Sequence, residues 1–137
     1  MRLINIKICM ATQRVIAQRS IAPSLTASLT RLISSLKAGD PIQDPSVQLG
    51  CLNESSAQNI VSQLEEAKAQ GAEFLVGDGT RVGPTMQPHL IRGIKPGMHV
   101  WERENFGPGV SPLLVTMDAK ILHLFALRLW ASSHCDG

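Results

Sequence analysis

The stretch that most limits what this chain can fold into is residues 54–76. Ala57, Ile60, Val61, Leu64 and Ala67 recur at spacings of three and four, the mark of one apolar helix side, while Glu65, Glu66, Lys68 and Gln70 make up the solvated side. Gly71 supplies the stop, and the apolar run Ala72 to Val76 that follows at once predicts a strand. A helix running straight into a strand is the second half of a crossover unit, and crossovers build sheets with helices on their faces. The same alternation precedes it. Val15 to Gln18 predicts a short strand, and residues 20–41 predict a helix with Pro23 in its first turn and an apolar stripe of Leu25, Leu29, Leu32, Ile33 and Leu36. Lys37-Ala38-Gly39-Asp40-Pro41 ends it. The expected class is α/β, with helices flanking a mostly parallel sheet.

Later segments fit that plan. Residues 42–53 read as a loop around Pro45 and Gly50, Gln87 to Ile91 as a strand start, and Val110 to Met117 as a strand. Gly77-Asp78-Gly79 invites comparison with a dinucleotide glycine loop, but the third glycine, Gly83, is one residue late and no helix follows, so the segment reads as a connection.

With 137 residues, the chain is long enough for one buried core. The net charge of +2 is small and its 13 basic residues are scattered, so no nucleic-acid surface is expected. Cys9, Cys51 and Cys135 are far apart and odd in number, which points to a reducing compartment and away from a disulfide framework. His89 and His99 are single histidines without metal-ligand spacing and read as packing or surface residues, so no metal site is expected. Residues 1–10 make a poor signal peptide, and Ile121 to Trp130 is too short to span a bilayer. The expectation is a cytoplasmic protein without a membrane partner.

Two short segments carry chemistry. In Trp101-Glu102-Arg103-Glu104-Asn105-Phe106-Gly107-Pro108, Glu104 and Phe106 are two apart, so in extended chain an acceptor and an apolar plate point the same way, with a Gly-Pro turn behind them. By itself this also describes a turn with a buried Phe. In Cys9-Met10-Ala11-Thr12-Gln13-Arg14-Val15, small residues follow a thiol and leave it accessible, although a lone cysteine is more often an inert core thiol.

Taken together, the two segments resemble the NAD(P)-dependent aldehyde dehydrogenase superfamily. Glu104-x-Phe106-Gly107-Pro108 is similar to its cofactor-contacting motif, and Cys9 to Val15 resembles the segment with the catalytic cysteine, most closely in salicylaldehyde- and vanillin-dehydrogenase-like members. Lys37 to Pro41, Gly71 to Gly79 and Gln87 to Ile91 are family-like too, whereas Ile6 and Lys7 stand where the family has Gly-Gln. The resemblance implies Cys9 as nucleophile toward a small-molecule aldehyde, Glu104 on a ribose of NAD or NADP, and Phe106 near the nicotinamide. It covers residues 8–117, so residues 1–117 are expected to be a partial catalytic domain and 118–137 a divergent apolar tail. Full-length members carry a cofactor domain, a general-base Glu, an oxyanion Asn and a cofactor Lys ahead of the cysteine, and this sequence has no counterpart of them before Cys9.

Two functions follow as expectations. One is oxidation of an aldehyde to a carboxylic acid through a cysteine thiohemiacetal. The other is a truncated, non-catalytic member acting through a full-length relative. A hydrolase pairing Cys9 with His89 or His99 has no supporting motif.

Overall fold

The computed structural model describes residues 14–103 and 113–117. Its elements are β1 (Arg14–Gln18), α1 (Ala22–Ser34), α2 (Glu54–Ala69), β2 (Glu73–Val76), β3 (Arg81–Val82), β4 (Thr85–Met86), β5 (Leu90–Arg92), α3 (His99–Glu102) and β6 (Leu113–Met117). Four strands form one sheet in the order β1-β6-β5-β2. β6 lies between β1 and β5 and is parallel to both, while β2 closes the edge antiparallel to β5. The expected α/β architecture with a mostly parallel sheet is therefore present. β3 and β4 form a separate hairpin just after the Gly77-Asp78-Gly79 connection.

The period-two alternation of β2 divides the apolar interior. Phe74 packs with the cluster around α2, which includes Ala57, Ile60, Leu64, Ala67, Ile91, Met98 and Val100. Its neighbour Leu75 joins the smaller cluster of Ala17, Ala22, Val15, Leu25 and Leu29 beneath α1. The two long helices thus cover opposite faces of the sheet.

The bounds of α2 follow from its caps. The Asn53 side chain accepts from the Ser56 N–H at 2.7 Å, and Glu54 sits favourably in the first turn. At the far end the Gly71 N–H donates to the Lys68 carbonyl and the Ala72 N–H to the Ala67 carbonyl, a Schellman arrangement that needs the left-handed backbone of Gly71 (φ 92°). α1 departs from expectation. It stops at Ser34 and not at Gly39, and Leu32 stays 63% exposed instead of joining the packing stripe. Ser35 Oγ donates to the Leu32 carbonyl and loosens the last turn. Ala38 and Leu49 are both buried and pair in an isolated parallel bridge, with the Gln87 amide bonding both backbone groups of Ala38. Tertiary pairing takes the chain out of the helix before its glycine.

Candidate active site

Cys9, Glu104 and Phe106 lie outside the described residues, but the described chain that follows Cys9 and the described chain that flanks Glu104 and Phe106 come together. β1 begins five residues after Cys9, and α3 ends two residues before Glu104. Arg14, the first residue of β1, donates a guanidinium hydrogen bond to the Trp101 carbonyl and holds its charge 5.7 Å from the centre of the Trp101 ring. Arg14 is also in register with Leu113, the first described residue after the second motif. The end of the sheet where β1 and β6 begin is therefore where both motif segments meet the fold.

α3 is only four residues long, so its own turn cannot fix it. Val100 and Met98 anchor it in the main core, and the Glu102 carboxylate accepts from the Gly97 N–H at 2.9 Å, closing the turn in front of it. Glu102 is thereby engaged with backbone. His99 Nδ1 lies 2.7 Å from Glu66 Oε2, tying α3 to α2, so Glu66 belongs to a contact and not to the solvated face expected of it.

His89 is a packing residue, as read from the sequence, but an unusual one. It is fully buried, edge-on to Phe74 with ring centres 6.1 Å apart, and neither ring nitrogen has a hydrogen-bond partner among the described residues. Burial pushes its pKa below the usual histidine value, and the Asp78 carboxylate opposes this only in part. Asp78 itself is held below the usual carboxylate range by the hydroxyl and N–H of Thr80. His89 is thus neutral in the fold and protonates more readily once unfolded. Stability from this group is complete above about pH 6.5, the unfolded value, and falls as pH drops below it by at most about 1.4 kcal/mol per pH unit. Urea titrations at pH 7.5, 6.0 and 5.0 should show this decline, and His89→Leu should flatten it. An unchanged slope in that variant would assign the acid sensitivity elsewhere.

A cavity of about 700 Å³ opens at the other end of the sheet, past the C-terminal ends of β1 and β5. Arg19, Ala22, Gly71, Arg92 and Lys95 are among its lining residues. Among the described residues no group of three His, Cys, Asp or Glu side chains converges on a point where a metal could sit.

Comparison with known proteins resolves the ancestry of this framework. The model of the aldehyde dehydrogenase family matches residues 6–123, most of the chain. The chain belongs to the aldehyde dehydrogenase family. Vanillin dehydrogenase of Pseudomonas fluorescens is 37% identical over 103 residues, covering 74% of this chain and 21% of that protein. NAD(+) benzaldehyde dehydrogenase of Pseudomonas putida is 36% identical over 110 residues, covering 80% and 22%. The fold matches the crystal structure of a salicylaldehyde dehydrogenase from Pseudomonas putida G7, complexed with salicylaldehyde, with a TM-score of 0.79 at 22% identity, over 88% of this chain and 25% of that one. The chain thus spans about a fifth of the length of the aldehyde dehydrogenases it matches.

Within the family framework, Gly77-Asp78-Gly79 is a turn leading out of β2. Asp78 bonds Thr80, Gly77 is packed against His89, and the chain continues into the β3–β4 hairpin. Cys51 is half-buried with Sγ 3.2 Å from Thr85 Oγ1, so this thiol faces a hydroxyl. What the sequence missed is the pairing of Arg14 with Trp101. Both residues are in the quoted motif segments, but no spacing rule links positions 87 apart.

Proposed function

We propose that the chain carries the nucleophile and part of the cofactor contact of an enzyme that oxidises an aldehyde to its carboxylic acid with NAD(P)+. The observation that supports this most is the contact of Arg14 with Trp101, because it gives the segments bearing Cys9 and Glu104-x-Phe106 a common end of the sheet. A thiolate and a hydride acceptor must flank one carbonyl carbon, so motifs at opposite ends of the sheet could not share a reaction. In this reading residues 1–117 are part of the catalytic domain and 118–137 a divergent tail.

The Cys9 thiolate adds to the aldehyde carbon, forming a C–S bond and a thiohemiacetal. When bound, a nicotinamide would supply the acceptor for the hydride that the thiohemiacetal carbon loses as its carbonyl re-forms as a thioester. Glu104 would accept hydrogen bonds from a ribose of that cofactor and Phe106 would pack near the nicotinamide. Water then cleaves the thioester left on Cys9, releasing the acid and restoring the thiolate. Aldehyde, NAD(P)+ and water thus become acid, NAD(P)H and a proton. Glu102, bonded to the Gly97 N–H, is a poor general base for that hydrolysis. The vanillin and benzaldehyde dehydrogenase relatives favour an aromatic aldehyde as substrate. Reliance on a reduced thiol fits the cytoplasm.

A second reading is a non-catalytic family member that acts through a full-length relative. It is favoured by Ile6 and Lys7, which stand where the family motif has Gly-Gln ahead of its cysteine. Intact mass of the protein purified from its own source, with NAD(P)H absorbance on adding benzaldehyde, separates the two. Turnover is the expected result. A native mass equal to 137 residues, no turnover and co-purification of a longer family member would support the second reading instead.

A further inference from the structure

We propose that Arg14 is a positioning residue that couples the nucleophile segment to the cofactor-contact segment by fastening β1 to the carbonyl and indole of Trp101. The inference rests on the dehydrogenase reading of Cys9, Glu104 and Phe106, and adds a residue to it.

Trp101 is half-buried and packs against the main core, so it is a fixed point three residues before Glu104 in the sequence. The other anchors of α3 among the described residues lead elsewhere: His99 to α2, Glu102 back to its own turn at Gly97, and Met98 and Val100 into the core beneath α2. Among the described residues, Arg14 is the side chain that joins α3 to β1, across 87 residues of sequence. It joins them at the first position of the strand, where β1 is already in register with β6 at Leu113. A shift of β1 relative to α3 would move the chain that leads to Cys9 relative to the chain that leads to Glu104.

The residue type suits the task. A planar guanidinium can donate to a carbonyl and lie over an indole face at once, whereas an ammonium is a compact point charge that cannot match that geometry. Arg14 is itself exposed, so burial of its own side chain does not explain the contact.

The test uses the protein from its own source, with Arg14→Met and Arg14→Lys introduced at its locus. Three quantities are read: kcat and KM for benzaldehyde, the rate of Cys9 alkylation by iodoacetamide with and without NAD+, and the thermal midpoint. Misplacement of reacting groups lowers kcat more than KM, so Arg14→Met should lose about tenfold in kcat with KM changed less than about twofold. The effect of NAD+ on Cys9 alkylation should shrink by at least about threefold, and Arg14→Lys should recover part of both. A lowered midpoint with kcat and the NAD+ effect intact would make Arg14 a plain structural clip and overturn the proposal alone. If Arg14→Met does not fold, Arg14→Lys decides: a partial loss of kcat and of the NAD+ effect supports the proposal, and unchanged values overturn it. A parent protein without turnover and without any NAD+ effect on Cys9 would remove the dehydrogenase reading and this proposal together.

Discussion

Cys9→Ser should abolish aldehyde oxidation, with a loss on the order of 10⁴-fold or more in kcat. A thiol near its ordinary pKa of about 8.5 already supplies some thiolate at neutral pH, and thiolate sulfur is intrinsically nucleophilic. A serine hydroxyl has neither property without an activating base. The measurement is NAD(P)H absorbance with benzaldehyde in the protein from its own source. Cys51→Ser serves as the control: Cys51 is half-buried against the Thr85 hydroxyl and lies outside both motif segments, and should keep activity within about twofold. Retention of more than a tenth of parent activity in Cys9→Ser would remove the nucleophile assignment, and a loss in Cys51→Ser equal to that in Cys9→Ser would move it.

The largest expected effect on stability comes from Gly77→Ala. Gly77 has φ 75°, in the left-handed region, and a Cβ there would lie 2.5 Å from His89 Cδ2 and 2.8 Å from the Pro88 carbonyl oxygen. The carbonyl is backbone and His89 is fully buried, so neither can simply swing away. The left-handed conformation costs a residue with a Cβ roughly 1–2 kcal/mol and overpacking a further 1–3, giving a loss of about 2–5 kcal/mol. Gly71→Ala is the matched comparison. Its φ is 92°, but a Cβ there meets nothing within 4 Å, so only the backbone cost of about 1–2 kcal/mol should appear. Urea midpoints of the two variants measure the difference directly. Equal losses would show that the turn after β2 yields enough to make room, and that His89 is not clamped as the geometry indicates.

These two expectations draw on different kinds of information. The role proposed for Cys9 comes from a run of residue types in sequence and from family membership. The cost at Gly77 comes from a buried ring brought against a turn by the pairing of β2 with β5. From the sequence, Gly77-Asp78-Gly79 read as a connection, and it is one; that its first glycine is packed against His89 had no signal in spacing. His89 read as a packing or surface residue, and a fully buried imidazole with no hydrogen-bond partner among the described residues is an outcome no local pattern announces.

The sequence by itself determined the elements whose causes are local. α2 runs from its Asn53 cap to the Gly71 stop because both devices act within a turn of the helix. The alternation of helix with strand implied a sheet covered on both faces, and Phe74 and Leu75 divide between those faces as a period of two requires. The motif segments, too, were legible as residue types in order. Tertiary structure decided what depends on partners distant in the chain. α1 ends at Ser34 because Ala38 pairs with Leu49 and is held by Gln87. β6 sits between β1 and β5, a strand order that sequence periodicity does not encode. Arg14 reaches Trp101 only because that order brings the first residue of β1 beside α3. Local propensity acts over one or two turns of chain, whereas register and burial are set by whichever distant surfaces remove the most apolar area from water.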